Sequence, residues 1–249
     1  MLIKKYLSAS LAILLYLLLT SAQAIAGADY SREQRWANEI LPGIMIGEPI
    51  YLTQRNQHRF LGLYAAADNA NMALLIVHGM GLHPDWGMIG NLRRNLYDAG
   101  YTTLSIQMPV LAADARYTAY QALFPEAAER LQLAVAFLKA QGYRKIVIVS
   151  HSNGSRMSRV YMATNPHDVN AWVALSLTRG DTFAGIKAPI LDLYGQNDLD
   201  HVLASTHQRR LSFLNHASRQ VMIANADHFY TGQENAMLNE IKVFLHHLR

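Results

Sequence analysis

The chain has 249 residues, 51% of them hydrophobic and 16% charged, with a formal net charge of +4 and no cysteine. That length and composition describe one globular core rather than a disordered or fibrous chain. They exclude disulfides, thiolate metal sites and a cysteine nucleophile, and the near-balanced charge gives no electrostatic case for nucleic acid.

The N-terminus reads as a secretory signal peptide over residues 1–26. Lys4 and Lys5 precede an apolar run through Leu11–Leu19, and Ala22-Gln-Ala24 and Ala24-Ile-Ala26 place small residues at the −3 and −1 positions. Cleavage after Ala24 or after Ala26 satisfies the rule equally. An uncleaved membrane anchor is the alternative, although the apolar stretch is short for a span of about 20 residues. No cysteine is available for a lipoprotein anchor. Removing residues 1–26 takes away two lysines and no acid, so the charge falls from +4 to +2. The expected location is the periplasm or the exterior.

Residues 27–249 read as one domain. An N-terminal arm, Asp29–Ile46, carries a short helix with Ser31 as a possible N-cap. Strand-like runs follow at Glu48–Thr53, His58–Ala65 and Met72–Val77, the last entering His78-Gly-Met-Gly81. A helix from Trp86 to Ala99 stops at Gly100, a common C-terminal signal. Next come a strand at Tyr101–Gln107, a helix at Pro125–Gln141, a strand running into Ser150, and a helix at Asn153–Thr164. Strands at Ala171–Leu177 and Pro189–Tyr194, a helix over His201–Asn215, a strand at Gln220–Ala224 and a helix at Gln233–Leu248 complete the series. Strands alternating with helices predict a mainly parallel sheet covered on both faces. The short segment between Leu177 and Pro189 leaves no room for a large lid. Ligands of such sheets bind at the carboxyl ends of the strands.

The chemistry-bearing residues fall at those ends. Lys145–Val149 ends in Ser150-His-Ser-Asn-Gly154, the strand, sharp turn and helix that present a serine hydroxyl, here Ser152. The pattern for that turn is G-x-S-x-G, and Ser150 replaces its first glycine. A serine needs a base within hydrogen-bond reach. His228, in the loop after the last strand, can supply it, and Asp198, after the preceding strand, can orient it; Asp200 is the alternative acid. The order Ser152, Asp198, His228 is the one this strand–turn–helix architecture uses. An oxyanion hole needs preorganised N–H donors: Asn153 follows the serine, and Met80 lies in the glycine-flanked loop after Val77.

Other residues admit plainer readings. His83-Pro-Asp-Trp86 either lines the pocket mouth through His83 and Trp86, or serves structure, with Asp85 capping a helix and Pro84 setting its entry. Ser152 as an ordinary cap is the structural alternative to a nucleophile. His151 is expected to pack inward and His78 to stabilise its loop. His201, His207, His216, His246 and His247 lack the convergent carboxylates of a zinc site and read as surface histidines. Arg156 and Arg159 read as a solvated or edge face, and Met157 and Met162 as core.

Together the elbow, the His78-Gly79 loop, Gly195-x-x-Asp198 and Ala226-Asp-His228 give a chain that resembles the α/β-hydrolase superfamily over nearly all of the mature region. His83-Pro-Asp-Trp86 with Leu191-Asp-Leu-Tyr-Gly195 also looks like one family of exported bacterial proteins on this fold whose function is not assigned. The resemblance implies an eight-stranded, mostly parallel sheet and a cofactor-free Ser-His-Asp mechanism, with no metal. The function expected is hydrolysis of a small-molecule acyl ester through an acyl-enzyme. A catalytically weak binding scaffold of the cell envelope and an amide or peptide hydrolase are the alternatives. Substrate identity and oligomeric state stay open.

Overall fold

The central strands are apolar at nearly every position because both of their faces are covered. The computed structural model describes residues 27–178 and 180–248; the signal peptide expected over residues 1–26 lies outside them. Eight strands form one sheet: β1 (Glu48–Thr53), β2 (Arg59–Ala65), β3 (Met72–Val77), β4 (Thr102–Ile106), β5 (Lys145–His151), β6 (Ala171–Leu175), β7 (Ile190–Gly195) and β8 (Arg219–Ile223). Their order is β1-β2-β4-β3-β5-β6-β7-β8. The pairings β1–β2 and β2–β4 are antiparallel and all others parallel.

Alternation along each strand divides the core into two layers. In β3, Ala73, Leu75 and Val77 face one cluster, while Met72, Leu74 and Ile76 face the other. In β5, Ile146 and Ile148 point to the first, Val147 and Val149 to the second. The first layer is closed by α3 (Phe124–Ala140) and α4 (Asn153–Thr164), through Leu131, Ala134, Leu138, Met157 and Met162. The second is closed by α2 (Gly87–Asp98) and α7 (Glu234–His246), through Leu92, Leu96, Ile241 and Phe244. Burying each such leucine or isoleucine contributes roughly 1.5–3 kcal/mol. Among the described residues no inserted lid stands between β6 and β7: the connection carries Phe183 and Ile186 into the core.

Three expectations shift. The arm helix α1 spans Tyr30–Ile40, and its cap is Asp29, not Ser31: the Asp29 carboxylate accepts from the Arg32 N–H at 2.9 Å, and the Ser31 hydroxyl donates to the same carboxylate. The helix expected over His201–Asn215 is two short ones, α5 (Asp200–Leu203) and α6 (Thr206–Leu211), and Arg209 of α6 turns inward to Asp192 of β7. Asp85 does not cap α2, whose N-cap Trp86 makes no side-chain capping bond; its carboxylate instead receives Arg93 and Arg94, both at 3.0 Å.

The arm is fastened to the sheet by charge. The fully buried Arg130 guanidinium of α3 meets the Glu33 carboxylate of α1 through two hydrogen bonds, 2.9 and 3.1 Å, and also reaches Glu126 at 2.6 Å. A buried ion pair contributes little net stability over an apolar replacement of both partners, but losing one partner strands the other charge. Arg130→Met is therefore expected to cost about 3–5 kcal/mol, whereas Arg55→Ala, at an exposed pair with Glu129, should stay within about 1 kcal/mol. Urea denaturation of the two variants measures the difference, and equal midpoints would refute the anchoring role.

Candidate active site

Ser152 has a left-handed backbone, φ 54° and ψ −124°, between β5 and α4. A non-glycine residue in such a region costs on the order of 1–3 kcal/mol and persists only where its surroundings over-determine it. Here they do. The Ser152 N–H donates to the Leu175 carbonyl at 2.8 Å, and the Ser155 N–H donates back to the Ser152 carbonyl at 3.0 Å. Gly154 lies so close to the loop after β3 that a Cβ there would collide with the His78 carbonyl oxygen. This close approach explains the glycine at that end of the motif.

At the other end, Ser150 takes the glycine position, and its hydroxyl is built into the elbow. The Trp172 indole N–H donates to Ser150 Oγ at 2.7 Å, Ser150 Oγ donates to Ser155 Oγ at 3.1 Å, and Ser155 Oγ donates to the Ser150 carbonyl at 2.8 Å. The departure from glycine thus ties β5 to β6 and to the first turn of α4.

The strand ends then bring three residues into one line. His228 Nε2 lies 3.0 Å from Ser152 Oγ, and His228 Nδ1 lies 2.6 Å from Asp198 Oδ1. With Asp198 ionised, Nδ1 carries the proton and donates, which leaves the Nε2 lone pair to accept the Ser152 hydroxyl. Asp198 is held from several sides: Ser176 Oγ donates to Oδ2 at 2.6 Å, the Gly195 N–H to Oδ2 at 3.2 Å and the Leu199 N–H to Oδ1 at 2.8 Å. Burial alone would raise the Asp198 pKa, but the hydrogen bonds from His228 and Ser176 outweigh it and hold the carboxyl below its ordinary value. Asp200, the other acid weighed from the sequence, is exposed at the start of α5. Asp192 points beneath the sheet end, where it pairs with the buried Arg209 at 2.8 Å.

Two more histidines support the site without facing solvent. His78 Nδ1 donates to the Gly79 carbonyl at 2.8 Å, and its Nε2 accepts from the Met108 N–H at 2.9 Å. His151 Nε2 donates to the His228 carbonyl at 2.9 Å, and its ring packs on those of His228 and Phe229. Burial pushes both imidazoles down to about 3, so each stays neutral with one donor and one acceptor nitrogen.

The loop shaped by His78 lies directly against the serine. A Cβ added to Gly79 would sit 3.2 Å from Ser152 Cβ and 3.1 Å from His151 Nδ1. Met80 follows it on the wall of the same hollow as Ser152. Asn153 opens α4, so its N–H belongs to the first-turn donors that have no carbonyl within the helix. Met80 and Ser152 thus line one hollow, and Asn153 follows Ser152 at the start of α4.

A hollow of about 250 Å³ opens over Ser152. Its walls include Leu82, Leu199 and Phe229, together with Tyr117, Thr178 and His201. His83 and Trp86, expected at its mouth, are not among them. His83 packs on Trp36 of the arm, and Trp86 packs on Phe229, which does line the hollow. His201, read as a surface histidine, is exposed and also lines the hollow. Arg156 and Arg159 are tied inward, to Asp181 and to the Thr182 carbonyl. Sequence reasoning missed Ser176, Tyr117 and Thr178 altogether. Ser176 and Thr178 directly follow the end of β6, and that position was their one legible signal.

Against known proteins, residues 8–129 match a family described as a protein of unknown function (DUF3530). That match includes the His78 loop and His83-Pro-Asp-Trp86 and ends before the elbow. No curated protein matches the chain. Solved structures match across most of it. The dienelactone hydrolase of Anabaena variabilis shares 21% identity over 80% of this chain and 98% of its own, with a TM-score of 0.66. Est1E of Butyrivibrio proteoclasticus shares 14% identity over 80% and 98%, with a TM-score of 0.65. An alpha-beta serine hydrolase homologue from Coxiella burnetii shares 15% identity over 83% and 99%, with a TM-score of 0.63. The chain has the α/β-hydrolase fold.

Two predictions follow from these contacts. Restoring the motif glycine, Ser150→Gly, removes the acceptor of the buried Trp172 N–H, and should lower stability by about 1–3 kcal/mol; a raised denaturation midpoint would show that Ser150 is not part of the elbow. The second concerns acid. Burial lowers the His78 and His151 imidazoles from the ordinary 6.5 to about 3 in the folded chain, so the unfolded chain binds more protons between those values. Stability is then fully present above about 6.5 and is lost as pH falls towards 3, with Asp198 adding loss in the same direction. Urea unfolding from pH 7 to 4.5 should show it, and His151→Gln should remove about one proton from the slope; a flat profile would contradict it.

Proposed function

We propose that this chain is an exported serine hydrolase, esterase-like, that cleaves an acyl ester through an acyl-enzyme on Ser152. The observation that carries the reading is the continuous hydrogen-bonded line from Asp198 through His228 to the strained Ser152, at the floor of a mostly apolar hollow. Ser152 Oγ attacks the acyl carbon while His228 Nε2 takes the hydroxyl proton, and Asp198 stabilises the imidazolium that forms. The backbone N–H groups of Met80 and Asn153 receive the negative oxygen of the tetrahedral species. The C–O bond to the alcohol then breaks, and His228 returns the proton to the departing oxygen. Water, deprotonated by the same histidine, releases the acid and restores Ser152.

This assignment uses only side-chain and backbone groups of this chain. Export rests on the basic, apolar and small-residue pattern of residues 1–26. Among the described residues no helix is long and apolar enough to cross a membrane.

Ser152→Ala should lower kcat on short p-nitrophenyl esters by at least about 10⁴-fold while leaving the circular dichroism spectrum unchanged. A fluorophosphonate probe should label the wild-type chain stoichiometrically at Ser152. Turnover that survives the substitution, or a chain that takes no label, would leave the fold as a binding scaffold.

A further inference from the structure

The serine that holds Asp198 shares the backbone peculiarity of Ser152. Ser176, the first residue after β6, has φ 51°, and Tyr230, two residues after His228, has φ 56°. A left-handed backbone is uncommon for serine and rarer for a bulky side chain, and it persists only where the surroundings impose it. Glycine or asparagine would take such a position at lower cost. What serine adds at position 176 is a hydroxyl. Both side chains are fully buried, and they meet at the acid.

Counting protons fixes the direction of each bond there. An ionised carboxylate can only accept, so the single hydroxyl proton of Ser176 goes to Asp198 Oδ2, 2.6 Å away. Tyr230 Oη lies 3.1 Å from Ser176 Oγ and 2.9 Å from the Leu193 carbonyl, and towards both it is then the donor. Burial pushes the Tyr230 phenol well above its ordinary range, so it keeps the proton that it donates. The Ser176 N–H donates to the same Leu193 carbonyl at 2.8 Å. Ser176 is thus held at its backbone and at its oxygen, and Asp198 accepts from Ser176 on Oδ2 and from His228 on Oδ1. A donor on Oδ2 fixes the plane of the carboxylate. It also draws negative charge away from the oxygen that faces the imidazole, so the attraction for a protonated His228 is weaker. Other titratable and charged groups face this pair: His151 through the His228 carbonyl, Asp227 beside His228, and the Asp192–Arg209 ion pair near Asp198.

We propose that Ser176 is a positioning residue for the hydrolysis: held by Tyr230 and the Leu193 carbonyl, it orients the Asp198 carboxylate towards His228 and moderates its pull on the imidazolium. This rests on the serine-hydrolase reading above. Ser176 touches neither substrate nor nucleophile in this role and acts through Asp198.

The pH profiles of kcat and kcat/KM for p-nitrophenyl butanoate, measured in Ser176→Ala and Ser176→Gly, test the role. Both variants should lose kcat by about ten- to a hundredfold with KM little changed. The acid limb of kcat/KM should move to higher pH, because the carboxylate without its Ser176 donor holds the imidazolium more tightly and the base is freed later. Glycine relieves the left-handed backbone, so Ser176→Gly should resist urea at least as well as Ser176→Ala and still show the same kinetic change. A packing role alone would make activity follow stability and leave the acid limb in place. An acid limb that stays or moves to lower pH in Ser176→Gly overturns the role, as does an unchanged kcat. Tyr230→Phe keeps the ring and leaves the Leu193 carbonyl bonded to the Ser176 N–H, so its acid limb should move the same way by less. That variant decides the matter where those at position 176 do not fold, and an unmoved limb in it overturns the role. Fluorophosphonate labelling separates the failures: a labelled wild-type chain whose variants show no shift loses only the role of Ser176, and an unlabelled chain loses the hydrolase reading and that role with it.

Discussion

The left-handed backbone at Ser152 is the constraint on which the rest of the site depends. Without it the serine would be an ordinary N-cap turned toward its own helix; with it the hydroxyl is lifted off the end of β5. Such a conformation has to be imposed, and the means are visible on every side. Hydrogen bonds link Ser152 to the end of β6 and to the first turn of α4, Gly154 touches the His78 carbonyl, and Ser150 is gripped by Trp172. The strain is local, and the two-layered core of the sheet supports it.

Around that point the site is organised by neutral imidazoles as much as by charge. His78 and His151 are buried and cannot ionise near neutral pH, so each acts as a fixed neutral imidazole. One shapes the glycine loop that adjoins Ser152, and the other steadies the carbonyl of His228. The charges themselves are kept behind the surface. Asp198 is enclosed by hydrogen bonds from Ser176 and from backbone N–H groups, and the Asp192–Arg209 pair lies beneath it. The described residues that line the hollow are mostly apolar and include no Lys, Arg, Asp or Glu.

Much of this was legible in the chain. Runs such as Met72–Val77 and Ile146–Val149 are apolar throughout because a parallel sheet is covered on both faces, and their spacing with the helical segments predicts the order and type of almost every element. Ser152, Asp198 and His228 stand in the turns and loops after β5, β7 and β8, where side chains of such a sheet converge. Legibility failed where a residue's surroundings come from distant parts of the chain. Trp86 looks like a pocket residue because it follows the glycine loop, yet it packs behind Phe229. His201 looks like one of several surface histidines, and it is exposed, yet it also stands on the pocket wall.

Sequence alone therefore determined the fold and the identity of the residues at the strand ends, because periodicity and turn chemistry are properties of neighbouring residues. Tertiary structure alone decided three things: that Ser150 fits the elbow, that Asp198 rather than Asp200 meets His228, and that Tyr117 and Thr178 form a polar wall. Each depends on groups from separate segments of the chain meeting within about 3 Å, and no local pattern in the chain encodes such a meeting.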